Sequence, residues 1–188
     1  PSDNTDPLGR IKIQWGFSHF FPANTISAHV TRMGKRHLKM AIDVALSGAF
    51  GIDLALDKAT AEERAQIADA VKLYKERIRP LVMHGELYRL VSPYESPLAS
   101  LSYVSTDKQK AVVYFYQTKD GNEPRVMLGG LDAHKKYRVE EVSQAKGVTS
   151  RFPANGKVFT GAELMEKGLE NPLNTQFESA VLILIANN

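Results

Sequence analysis

The sequence predicts an α/β segment followed by an all-β one: the last part of a (β/α)8 barrel over residues 1–85, then an antiparallel β-sandwich over residues 86–188. Three observations predict it. Residues 7–79 alternate helical and strand periods, the order expected of strands with helices packed over them. From Glu86 the helical period disappears, and short β-prone runs separated by turn residues take over. Asp6-Pro7 is a strong helix start, because Asp caps free N–H groups and proline costs nothing at the first helical position. The residues before it then lie in a loop that, in a barrel, joins a strand's C-terminal end to a helix, which is where catalytic residues sit.

Residues 7–20 read as the first helix, with Leu8, Ile11 and Trp15 on one face and Ile13, Phe17 and Phe20 extending the apolar surface. Phe21-Pro22 ends it. Trp15 and the phenylalanines at this spacing read as core rather than as a sugar-stacking platform. Residues 25–30 form a short β-prone run with His29 at its end, facing the rim of a barrel or hydrogen-bonded structurally. Residues 40–48 read as an apolar helix closed by Gly48, and residues 49–54 as the next strand. Thr60 and Glu63 have the spacing of a capping box. The helix they open carries Ile67, Ala70, Val71, Tyr74 and Ile78 on one stripe, and Pro80 is expected to stop it.

Beyond the boundary near Gly85, residues 87–91, 99–105, 111–116, 126–128, 137–139 and 180–186 read as strands. Asp120-Gly121-Asn122 and Gly129-Gly130-Leu131-Asp132 supply turns between them. Residues 160–165 form a capped helical turn. Regular short strands of this kind indicate an antiparallel sandwich. Tyr88, Tyr94, Tyr103, Tyr114, Tyr116 and Tyr137 would suit a carbohydrate-binding face, but alternating aromatics in strands read first as core. No Gly/Ser linker separates the halves, so they are expected to pack together.

Composition excludes several classes. With no cysteine there is neither disulfide nor thiolate metal site, and no apolar run is long enough to cross a membrane. The net charge is +3, and the basic run at residues 35–39 has no nucleic-acid motif around it. No clustered His/Asp set suggests a metal, and no cofactor is expected.

Ser2-Asp3-Asn4-Thr5-Asp6-Pro7-Leu8, followed by Arg10-Ile11-Lys12-Ile13-Gln14-Trp15-Gly16, resembles the acid/base segment of glycoside hydrolase family 36, the microbial α-galactosidases. Phe21-Pro22-Ala23, Ala28-His29-Val30 and Asp43-Val44-Ala45-Leu46-Ser47-Gly48 resemble further landmarks of that family, in its order. The resemblance covers roughly residues 2–140. It implies that Asp3 is the general acid/base of a retaining hydrolase acting on terminal α-linked galactose, as in melibiose or raffinose, and that a β-sandwich ends the chain. Where many members continue after His29-Val30 with Pro-Asn-His, this chain reads Thr31-Arg32-Met33-Gly34-Lys35-Arg36-His37, so substrate contacts from this loop are not carried over.

The family's nucleophile is an Asp in a Lys-x-Asp segment on an earlier strand, and no residue here matches it. The chain is therefore expected to be the C-terminal piece of an enzyme, inactive alone. Its expected partners are α-galactoside oligosaccharides and the N-terminal part of the same enzyme, with no nucleic acid and no membrane. A homo-oligomeric parent is left open, as is the compartment: bacterial cytoplasm, periplasm or secretion. Two alternatives stand beside this reading: a non-catalytic carbohydrate-binding or interaction module, and the same chemistry on another sugar, as an α-N-acetylgalactosaminidase or galactosyl transferase.

Overall fold

The computed structural model describes residues 6–31, 37–144 and 147–187. Helix α1 (Pro7–Phe17) begins as the sequence requires: Asp6 Oδ2 accepts the Gly9 N–H at 2.8 Å, and Pro7 occupies the first turn. It stops short of the expected Phe20. Phe21 precedes a proline, which disfavours helical backbone, and the chain turns through Ser18, whose hydroxyl donates to Trp15 O at 2.6 Å. Trp15 is buried, but Phe20 and Phe21 are exposed, so only part of the aromatic run is core.

Strand β1 (Ser27–Thr31), helix α2 (Leu38–Ala45) and strand β2 (Ala49–Asp53) follow. The two strands pair in parallel, in register from Ser27 opposite Ala49 to Thr31 opposite Asp53. Helix α3 (Ala61–Leu73) opens on the expected capping box: the Glu63 N–H donates to Thr60 Oγ1 at 3.1 Å and the Thr60 N–H to Glu63 Oε2 at 2.8 Å.

Pro80 does not stop this helix. The chain passes through a π turn (Tyr74–Ile78) into helix α4 (Arg79–His84), with the Arg79 N–H donating to Tyr74 O. A proline inside a regular helix strikes the carbonyl four residues back and lacks the N–H to bond it. One wider turn just ahead of Pro80 accommodates both defects, so the axis continues.

The all-β half contains β3 (Glu86–Val91), β4 (Leu98–Val104), β5 (Lys110–Gln117), β6 (Arg125–Val126), β7 (Lys136–Glu141), β8 (Val158–Thr160), helix α5 (Gly161–Glu166), β9 (Leu169–Glu170) and β10 (Ser179–Asn187). Six strands form one antiparallel sheet in the order β3-β4-β5-β10-β7-β8, and β6 pairs with β9 in a separate ribbon. The strand expected at 126–128 is only the short β6, and β8 and β9 are strands beyond those expected, three and two residues being too short to stand out in the sequence. Strands β4 and β5 are buried on both faces. Tyr103, Tyr114, Tyr116, Val181 and Ile183 face the helices, while Val113, Phe115, Leu182 and Leu184 face the thin second layer of the sandwich made by β6, β9, α5 and their loops.

Three tyrosine hydroxyls attach the helical layer to this sheet, and a fourth makes a bond within the helical layer. At the end of α2 the Ser47 N–H turns back to Val44 O and the Gly48 N–H to Ala45 O, leaving nearby carbonyls unused. Tyr116 donates to Asp43 O (3.0 Å), Tyr114 to Leu46 O (2.9 Å), Tyr103 to Ser47 O (2.9 Å) and Tyr74, from the π turn, to Gly48 O (3.0 Å). The Asp43 carboxylate, fully buried, adds a second attachment. Its Oδ2 accepts from Lys39 Nζ (2.6 Å), from Ser179 Oγ at the start of β10 (2.7 Å) and from Ser143 Oγ just after β7 (3.2 Å).

Candidate active site

The parallel pair gives this half a direction. Gly48, just after α2, packs at the start of β1: a Cβ there would lie 2.8 Å from Ile26 O, and the Ala49 N–H donates to that same carbonyl at 2.8 Å. Tyr74, at the far end of α3, bonds Gly48 O in the same region. The C-terminal ends of α2 and α3 therefore lie at the N-terminal ends of the strands. Their N-terminal ends lie at the other end, with Thr31 and Asp53, the last residues of β1 and β2. Helix α1 runs the same way, with Phe17 beside Thr25 and Ile26, and Arg10, one turn after Pro7, donating to Ser27 O at 2.7 Å. One end of the pair thus gathers both strand C-termini and the starts of three helices, the arrangement that holds catalytic residues in (β/α)8 barrels.

Helix α1, which follows the segment expected to carry the chemistry, starts at this end. Asp3 lies outside the described residues, three positions ahead of Asp6. Asp6 itself is the cap of α1, which accounts for one of the motif's two carboxylates and anchors the chain that follows Asp3.

Within the pair, Ala28 and Val30 point into the core, and the alternate face carries Ser27, His29, Thr31, Gly51 and Asp53. His29 is the third of five strand residues rather than the last, so it lies below the rim. It is exposed, and its Nε2 is 3.1 Å from Ser27 Oγ. Its ring covers Gly51, where a Cβ would come within 2.6 Å of His29 Cδ2. Of the two readings of this histidine, the hydrogen-bonded one matches its surroundings.

The other acidic residues of this half occupy different positions. Asp43 is bonded into the contact with the sheet, at the opposite end of α2 from its start. Asp53 ends β2 and Asp57 lies in a short 3-10 turn before α3, both exposed. Among the described residues, no group of three or more His, Asp or Glu side chains is placed to hold a metal ion.

One contact at this end had no sequence signal. His37, directly before α2, stacks on Phe177 from the loop ahead of β10, with ring centroids 3.9 Å apart and planes 11° from parallel.

Comparison with known proteins assigns the arrangement to a family. Residues 1–85 match the family profile described as melibiase, and residues 98–184 match that of the glycosyl hydrolase family 36 C-terminal domain. The chain belongs to glycoside hydrolase family 36. The α-galactosidase AgaA of Geobacillus stearothermophilus is 35% identical over 180 residues, which are 91% of this chain and 23% of that protein. The probable α-galactosidase G of Aspergillus terreus is 31% identical over 193 residues, 97% of this chain and 25% of the relative. The crystal structure of the family 36 α-galactosidase AgaB from Geobacillus stearothermophilus superposes with a TM-score of 0.83 at 34% identity, over 99% of this chain and 25% of that one. The α-galactosidase from Lactobacillus brevis superposes with a TM-score of 0.83 at 27% identity, over 100% of this chain and 26% of its own. The family 36 chain described here thus spans about a quarter of the length of the curated relatives it matches. Its fold is the end of the family's catalytic barrel followed by the C-terminal β-sandwich.

Proposed function

We propose that this chain provides the acid/base end of the catalytic barrel (residues 1–85) and the closing sandwich (residues 86–188) of a retaining α-galactosidase, with Asp3 as the general acid/base. The observation that carries the reading is the Asp6-capped start of α1, at the end of the parallel pair where strand C-termini and helix N-termini meet; in the sequence the Ser2-Asp3-Asn4-Thr5 string directly precedes it. Family membership supports the chemistry, and structures of AgaA variants in complex with raffinose and with stachyose support α-galactoside oligosaccharides as substrates.

In this reading two carboxyl groups flank the glycosidic bond, about 5–5.5 Å apart. One attacks the anomeric carbon. Asp3 protonates the departing glycosidic oxygen, then takes a proton from the water that releases galactose from the glycosyl-enzyme. No segment of this chain corresponds to the strand bearing the attacking carboxylate, and Asp43, Asp53 and Asp57 are placed elsewhere, so that group comes from other sequence. The chain alone is expected to bind without turning over.

The test is Asp3→Asn in the intact protein, assayed on two substrates. Loss of general acid catalysis typically costs about 100- to 10,000-fold, and raffinose, whose leaving group needs a proton, should show it. An aryl α-galactoside with an activated leaving group needs little protonation and should lose far less in the first step. Equal proportional losses on both substrates would make Asp3 a structural residue.

A further inference from the structure

Helix α2, helix α3 and the chain just after β7 border a cavity of about 370 Å³, the size of a small-molecule site. Its α2 wall is built on Lys39 and Asp43. Lys39 Nζ donates to Asp43 Oδ2 (2.6 Å), Ser179 O (2.6 Å) and Ser143 Oγ (3.3 Å), which commits all of its protons. The Ser143 and Ser179 hydroxyls also donate to Oδ2. Asp43 Oδ1 is buried and receives no hydrogen bond among the described residues. A buried carboxylate oxygen left without a donor is costly, and a charged donor offsets that cost best.

The facing wall is a stripe of α3. Glu62, Gln66 and Asp69 recur at helical spacing and line the cavity together. Among the described residues, nothing bonds or pairs with these side chains. Ile42, Leu46 and Leu73 add apolar surface. Free acceptors therefore outnumber free donors: Lys39 is committed, Gln144 donates to Glu141 Oε2 (2.8 Å), and Gln66 brings an uncommitted amide. Lys39 also balances the charge of Asp43, which leaves those of Glu62 and Asp69 over. These two stand about 10 Å apart along the helix, at about 1.5 Å per residue. A neutral sugar brings an acceptor with every hydroxyl, and an anion would be repelled.

We propose that this cavity is a binding site for an extended aliphatic polyammonium compound. The methylene chain covers Ile42, Leu46 and Leu73, and ammonium groups at separate points along it meet the free carboxylate oxygens. Helices α2 and α3 finish together where Tyr74 bonds Gly48 O. Asp69 and Asp43 lie equally far back from those two residues, which sets them level and lets one ammonium serve both. A second ammonium reaches Glu62, near the start of α3. Such a ligand ties α2 to α3 beside the sheet. Binding here involves no turnover, so it stands apart from the α-galactosidase reading.

The experiment is isothermal titration of the intact protein with spermidine, butylamine and galactose. Spermidine should bind saturably, one per chain, and about tenfold more tightly than butylamine, which carries a single charge. The Glu62→Gln, Asp69→Asn double variant should weaken spermidine about tenfold, the effect of two exposed ion pairs. Added salt should weaken it in the parent. Ala65→Trp, at an exposed position on the cavity wall, should fill the space and abolish binding. Glu62 and Asp69 are exposed as well, so the double variant should melt near the parent and carries the test if Ala65→Trp folds poorly. Absence of saturable spermidine binding to the parent, or equal affinity in the double variant, would overturn the proposal. So would galactose binding that Ala65→Trp removes, which would make the cavity a sugar site.

Discussion

At the residue scale, the family landmark from Asp43 to Gly48 is explained by attachment rather than by chemistry. Asp43 secures α2 to β10 and to the chain after β7, Leu46, Ser47 and Gly48 present carbonyls to tyrosines, and Gly48 leaves room for Ile26 O. Replacing Asp43 with Ala strips two serine hydroxyls and a lysine of their shared acceptor. Removing one partner of a buried pair costs about 3–5 kcal/mol, and the lower end applies because the Lys39 side chain keeps 34% of its exposure. Asp43→Ala should therefore lower stability by about 3 kcal/mol in denaturant titration, with no change in the slope that reports surface exposed on unfolding. A loss under about 1 kcal/mol, the size of a single neutral hydrogen bond, would mean the network is not a joint of the fold.

At the element scale, the features legible in the sequence were those fixed by near neighbours. Asp6-Pro7 and the Thr60–Glu63 box act within one helical turn, and both helix starts fall where those residues place them. The strands β4, β5 and β10 were legible because their apolar runs are buried on both faces. What was not legible depends on distant partners. Pro80 reads as a stop, and only the π turn before it shows how the helix passes through. Phe20 reads as core from its spacing, yet the helix ends before the spacing can act. The tyrosines of β4 and β5 read as core and are core, but nothing local shows that their hydroxyls would seek the end of α2. Of the candidate site, the string around Asp3 was legible as a motif. The stack of His37 on Phe177 joins residues far apart in the chain, and a phenylalanine at positive φ leaves no pattern to read.

At the scale of the whole molecule, the joint between the halves sets an alkaline limit. Burial pushes the Tyr103, Tyr114 and Tyr116 hydroxyls above the ordinary phenol range. Their protonated form is the one the fold holds, so their contribution is fully present below the unfolded pKa of about 10. Above it the unfolded chain releases protons that the folded chain keeps, and stability declines as pH rises towards the folded values. Denaturant midpoints should hold steady from neutral pH to about 10 and then fall. A variant with all three changed to Phe should start less stable and fall less steeply. The same fall in parent and triple variant would place the alkaline limit elsewhere.

The central claim, that Asp3 is the acid/base carboxyl, is tested most directly by rescue with a small anion. Asp3→Ala in the intact protein should form the glycosyl-enzyme from an activated aryl α-galactoside and then stall, lacking the base that activates water. Azide needs no such base and can enter the space the side chain leaves. It should accelerate turnover of Asp3→Ala and yield α-galactosyl azide, with the anomeric configuration of the substrate retained. The parent and Asp6→Ala, which loses the cap of α1, should show no rescue. Failure of azide to rescue Asp3→Ala, or equal rescue of Asp6→Ala, would contradict the assignment.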